Sequence, residues 1–193
     1  MDALHWVTSP SVTEPPQEIY CQTRDIVQAK VESVRMNLLQ HGWDESTSSL
    51  IVAVLGELTS NAFDHNLGQW PDVPGCWFET TIDPHRFVAI IADRGQGVRS
   101  SLQRVRPGIN DHEALRIAFT EHITGRAPEK RGNGLKFVIN ALREFPKTNL
   151  TFQSGDALLS FHGQMNPEDA TLEIINVQTS LRGVVSKIEL TQL

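Results

Sequence analysis

The sequence predicts an α+β domain, a two-layer sandwich in which helices lie on one face of a mostly antiparallel sheet. Two patterns with helical spacing occupy residues 17–40 and about 44–65, and two apolar strand-like runs, 76–82 and 87–92, follow them. A third helical pattern at 134–144 precedes four short strand-like runs. Helices and strands arrive in groups rather than in strict alternation, which segregates the helices to one side of an antiparallel sheet. At 193 residues the chain is long enough for one such unit.

Residues 1–16 carry Pro10, Pro15 and Pro16 among Ser and Thr, and read as an edge strand or a poorly ordered arm ahead of a domain spanning 17–193. Over 17–40, Ile19, Ile26, Val27, Val31, Val34, Leu38 and Leu39 recur at spacings near three and four, an amphipathic helix that ends at His41-Gly42. Asp44 or Ser46 can cap a second helix running to about His65. Gly68, Pro71, Pro74 and Gly75 mark a loop, and the runs 76–82 and 87–92 form a hairpin across Asp83-Pro84-His85. Residues 94–132 are polar and glycine-containing, with one helical segment near 112–122. Leu135, Val138, Ile139 and Leu142 then predict a helix, and 150–152, 158–161, 172–177 and 184–190 predict strands.

Composition excludes several classes. With 17 Lys and Arg against 23 Asp and Glu, a net charge of -6 argues against a generic nucleic-acid binder, whose affinity rests on clustered cations. No apolar run approaches the roughly 20 residues of a membrane-spanning helix, and no secretory leader is visible at the N-terminus. Cys21 and Cys76 lack any Cys-x-x-Cys context and are read as two reduced thiols. These features predict a cytoplasmic protein with no membrane partner.

Chemistry concentrates in three stretches. In the second helix Glu57, Asn61, Asp64 and His65 fall within a roughly 100° arc opposite an apolar face. Such a stripe either emerges into solvent or needs partners when buried, and an amide oxygen with waters suits a hard cation such as Mg²⁺. An apolar strand then ends in Asp93-Arg94-Gly95-Gln96-Gly97, where a carboxylate can accept from an exocyclic amine and the glycines allow close backbone approach; the same pattern also makes an ordinary turn. In the third stretch, Lys130-Arg131-Gly132-Asn133-Gly134-Leu135, two cations and two glycines open an apolar helix. This is either a phosphate-type anion site or a merely flexible loop.

Taken in order, the three stretches resemble the GHKL ATPases, the family named for gyrase, a heat-shock chaperone, histidine kinases and the mismatch-repair MutL proteins. Glu57-Leu58-Thr59-Ser60-Asn61-Ala62-Phe63-Asp64-His65 looks like the family's asparagine box, Asp93 to Gly97 like its first glycine box, and Gly132-Asn133-Gly134-Leu135 like its second. The resemblance covers about residues 17–190 and implies the Bergerat-type ATP-binding fold. It further implies that Asn61 coordinates Mg²⁺ on the ATP phosphates, that Asp93 takes the adenine amino group, and that Glu57 is the general base.

By the same resemblance, Gly95 and Gly97 let the backbone approach the nucleotide, while Gly132, Gly134 and Leu135 shape the phosphate end. An ATP lid spans about 98–131, with Arg126, Lys130 and Arg131 as candidates for contact with the γ-phosphate. His65 is read as structural. One departure is Gly183-Val184, where the family commonly has Gly-Thr. The layout is most similar to standalone anti-sigma-factor serine/threonine kinases. It implies a phosphotransferase acting on a regulatory protein partner: a sigma factor, an anti-anti-sigma factor or another phosphoacceptor protein, with a homodimer as a further form. The alternatives are an ATP-gated protein-binding module or slow ATPase without kinase activity, and a histidine kinase-like catalytic domain working with a separate phosphoacceptor.

Overall fold

A computed structural model describes residues 1–66, 70–121 and 134–192. Five strands pair in the order β1-β2-β3-β5-β4, with β1 Tyr20–Cys21, β2 Cys76–Ile82, β3 Arg86–Asp93, β4 Thr148–His162 and β5 Thr171–Thr191, and each of these pairings is antiparallel. Four helices, α2 Arg24–Gln40, α3 Glu45–Asp64, α5 Asp111–Thr120 and α6 Gly134–Arg143, contribute to the main core against one face of this sheet. The chain is therefore the α+β sandwich that its pattern predicts. Strand β3 shows how the layers divide. Phe87, Ala89 and Ile91 face the helices, whereas Ile90 and Ala92 belong to a second cluster on the other face.

That second cluster corrects the reading of residues 1–16. They contain a short helix, α1 Ala3–Thr8, whose Trp6 is fully buried beside Trp77. Asp2 caps it by accepting from the His5 amide at 2.7 Å, and the Trp6 indole donates to the Thr13 carbonyl at 2.8 Å. Six residues cannot sustain a helix in water. Burial of Trp6 and Val7 against the back of the sheet supplies what local propensity lacks, and the prolines begin only after the helix has ended.

The first long helix also starts later than predicted. Thr23 caps α2 through the Ile26 amide, and residues 20–21 pair with β2 instead, so Ile19 matches the helical period without being in the helix. Helix α3 follows the expectation closely: Asp44 is its cap, accepting from Thr47 at 3.0 Å, and Ile51, Val54, Leu55, Leu58, Ala62 and Phe63 are its buried face. The hairpin forms as predicted, with Cys76 opposite Asp93 and Ile82 opposite Phe87. Asp83 closes its turn by accepting from the His85 and Arg86 amides.

The four predicted terminal strands are two long ones. Strand β4 runs through a bulge at Gly155, whose φ of +60° lets the ladder shift register without stopping. Residues 97–121, expected to be mostly open lid, hold α4 Gly97–Leu102 and then α5. Leu102, Ala114, Leu115, Ile117 and Phe119 are buried, so this half of the predicted lid packs as core. No helix among the described residues is long and apolar enough to cross a membrane.

If α1 is part of the folded unit, Trp6→Ala should cost about 3–5 kcal/mol, the usual range for truncating a buried aromatic residue. Urea denaturation measures this, and a loose arm would give a change near zero.

Candidate functional site

Two clusters form along the C-terminal half of α3. In the first, the start of α6 meets the polar stripe of α3. A Cβ built on Gly134 would stand 2.5 Å from Glu57 Oε2 and 3.8 Å from Asn61 Nδ2, so the absence of a side chain brings the α6 N-terminus against both groups. Asn61 Nδ2 is buried and has no hydrogen-bond partner among the described residues. An orphaned buried donor costs on the order of 1–3 kcal/mol, a penalty that a folded chain tolerates mainly where a ligand or water meets it. The exposed N–H groups of a helix N-terminus favour negative charge at the same point. Leu135 is half-buried and packs against the main core, which anchors this helix end.

The second cluster centres on Asp93 at the end of β3. Its Oδ1 accepts from the Gly95 amide and from Asn66 Nδ2, each at 2.8 Å. Burial pushes its pKa up to about 7, while those two hydrogen bonds pull the other way. Asn66 also donates to the Ala62 carbonyl at 2.8 Å and accepts from the Gln96 amide at 2.9 Å. The Gln96 side chain donates to the His65 carbonyl, closing a second tie between α3 and the glycine turn. Burial alone lowers the His65 pKa, in keeping with a structural histidine.

Gly95 and Gly97 are each explained by a close approach within the chain. A side chain at Gly95 would collide with Asn66. Gly97, at φ +74°, would place a Cβ 2.8 Å from the Arg182 carbonyl. Val184, the departure from the family pattern, is the ladder partner of Asp93, so an apolar side chain flanks the carboxylate where the resemblance calls for a hydroxyl.

Glu57, Asn61, Gly134 and Leu135 thus gather at one cluster, and Asp93, Gly95 and Gly97 at the other. Arg126, Lys130, Arg131 and Gly132 lie outside the described residues. Of the stripe, Asp64 is paired with Arg24. Sequence reasoning missed Asn66 because its role exists only across the fold; its one local signal is an amide just past the helix end. It also gave no role to Arg94, which turns to the opposite face. There it binds Asp72 at 2.6 Å and the Trp6 carbonyl at 2.6 Å.

Asn61 offers a metal one amide oxygen. Among the described residues no group of three or more His, Cys, Asp or Glu could hold an ion. That donor set fits a hard cation arriving with its own phosphate oxygens and waters, not a bare ion.

No family model matches the chain, and no curated protein matches it. Among solved structures the chain is similar to the B subunit of DNA gyrase from Myxococcus xanthus, with 14% identity, 84% of this chain covered and a TM-score of 0.38. It spans 42% of that chain's length. A likeness this distant assigns no residue a role.

The elevated Asp93 pKa fixes a pH dependence. The folded state holds this proton more tightly than the unfolded chain, so stability falls as pH rises from about 4 to about 7, by up to about 4 kcal/mol in all. Chemical denaturation across that window should show the decline in the wild type. Asp93→Asn, which cannot ionise, should flatten it.

Proposed function

We propose that the chain binds ATP with Mg²⁺ and, as a regulatory protein kinase of the anti-sigma-factor type, phosphorylates a Ser or Thr of a protein partner. The observation that carries this reading is the meeting of Glu57 and the unpartnered Asn61 amide with the N-terminus of α6. A carboxylate, an amide with no partner among the described residues and a helix N-terminus converge where phosphates and a bound cation would be held. The ordered asparagine and glycine boxes add to it, and Asp93 supports it from the other cluster. Its Oδ1 takes two bonds from the protein, and neither uses Oδ2, which can accept from the exocyclic amine of adenine.

In this reading Mg²⁺ offsets phosphate charge when bound. Glu57 takes the proton of the acceptor hydroxyl as its oxygen bonds to the γ-phosphorus, and the bond to the bridging oxygen breaks to release ADP. The α6 amides hold phosphoryl oxygens through the transfer. Asn61 orients the cation, and the buried Asp93 end excludes water from the base. A sigma factor, an anti-anti-sigma factor or another phosphoacceptor protein is the partner of this reading.

Calorimetric titration with ATP should give binding in Mg²⁺ that Asn61→Ala weakens at least about tenfold, roughly 1.4 kcal/mol, with a much smaller change in chelator. Glu57→Gln should keep ATP binding and lower phosphate transfer to a partner by about 10²–10⁴-fold. No heat with ATP-Mg²⁺ ends the nucleotide reading. Binding without any labelled partner leaves an ATP-gated binding module and ends the kinase.

A further inference from the structure

We propose that Cys21 and Cys76 form a reversible cross-strand disulfide, which makes the short edge strand β1 a redox-sensitive site. The two residues are direct ladder partners on β1 and β2. Two residues away in the same register the Phe78 amide donates to the Ile19 carbonyl at 2.8 Å. The alternation of an antiparallel ladder then puts Cys21 and Cys76 at a hydrogen-bonded position, where Cα atoms stand about 5.5 Å apart. A disulfide accepts Cα separations of roughly 4.4–6.8 Å but needs the Cβ atoms nearer than a hydrogen-bonded pair holds them, so the two-residue edge strand must tilt towards β2, and the strained bond that results is readily reduced. Their side chains share the core-facing side of the sheet, close enough for each thiol to shift the ionisation of the other.

Gly75 keeps the strands at this distance. At φ +87° its missing Cβ leaves room for the Cys21 carbonyl, which any side chain there would strike.

The environment also separates the roles of the two sulfurs. The neighbouring Cys76 thiol, and then the cation of Lys30, hold the Cys21 thiol below its usual range against the opposing effect of burial. Lys30 is fixed there by donating to the Glu18 carbonyl at 2.6 Å. The neighbouring Cys21 thiol and then burial push Cys76 up. Because Cys21 lies on the edge strand that opens and Cys76 on the strand inside it, Cys21 is the attacking thiol and Cys76 the resolving one. Both are fully buried, and access comes from opening of a two-residue edge strand, the kind of segment that unfolds locally.

With a low-molecular-weight disulfide such as oxidised glutathione as the oxidant, Cys21 thiolate attacks one sulfur, the reagent's S–S bond breaks, and the first glutathione leaves and takes a proton. Cys76 then attacks Cys21 Sγ, its proton going to the second departing glutathione. The protein loses two hydrogens and the reagent becomes two thiols. The new bond would tie the segment ahead of α2 to the strand whose ladder partner is Asp93. The inference does not depend on the nucleotide reading.

The test incubates the folded full-length chain with oxidised glutathione and follows intact mass, thiol content after denaturation and peptide maps. Expected are loss of two hydrogens, a fall from two titratable thiols to none, a linked Cys21–Cys76 peptide, and recovery on adding dithiothreitol. Cys76→Ser should trap one glutathione on Cys21, and Cys21→Ser should react at least about tenfold more slowly. The proposal is overturned if the folded wild type keeps both thiols while the urea-unfolded chain reacts. It is equally overturned if each cysteine carries its own glutathione, or if the disulfide joins two chains.

Discussion

The site depends on how a carboxylate is kept in the interior. Asp93 ends β3 with almost no exposure, and a buried charge of that kind persists only with hydrogen bonds to hold it. Asn66 supplies one of them, and the same side chain reaches the α3 backbone at Ala62 and the Gln96 amide. One amide thus fastens the end of a 20-residue helix to the end of a strand and to the turn that follows. Because Glu57 and Asn61 sit on that helix, their position relative to the sheet rests on the same tie. Protonating the carboxylate relieves the cost of burying its charge, and its oxygen can still accept from Asn66.

Crowding around this tie explains the glycines better than flexibility does. Gly183 packs against the Asp93 carbonyl so closely that no side chain fits, and its ladder neighbour Val184 faces Asp93 itself. Between two residues of this turn, Arg94 points the other way and binds Asp72 and α1. A buried ion pair contributes little net stability, but breaking it leaves an uncompensated charge at a cost of several kcal/mol. The pair therefore acts mainly as a specificity device. It holds the N-terminal helix against the back of the strand whose last residue belongs to the candidate site.

What could be read from sequence was whatever local periodicity encodes. The α3 cap at Asp44, its apolar face and the β2–β3 hairpin are local signals, and they fold as written. Helix α1 was not legible, because six residues gain their helicity from Trp6 entering a pocket built by Trp77 and Arg94, more than 70 residues away. The joining of the terminal runs into β4 and β5 was equally hidden: a glycine in a strand pattern reads as a break unless its partner strand supplies the bulge. In the site, the order of the boxes pointed to one pocket, whereas the fold sets Glu57, Asn61 and Gly134 in one cluster and Asp93 in another. Asn66 escaped because two of its three bonds run to groups that tertiary structure delivers, and the third is a local contact with the Ala62 carbonyl.

The charge balance at the first cluster bears on what the site can hold. A helix N-terminus favours about half a unit of negative charge nearby, and Glu57 already supplies a carboxylate at the α6 start. A polyphosphate entering beside that carboxylate would meet repulsion that one helix end cannot offset. Counting the described residues alone, a divalent cation between them would offset that repulsion, and in the proposed reading the Asn61 amide presents an oxygen to it. Under the proposed reading, the same arithmetic favours an amide over a second carboxylate at 61. Another negative charge there would bind a bare ion better, yet would oppose the phosphates that bring the ion in. A neutral donor beside a carboxylate is what a cation already carrying anionic ligands selects.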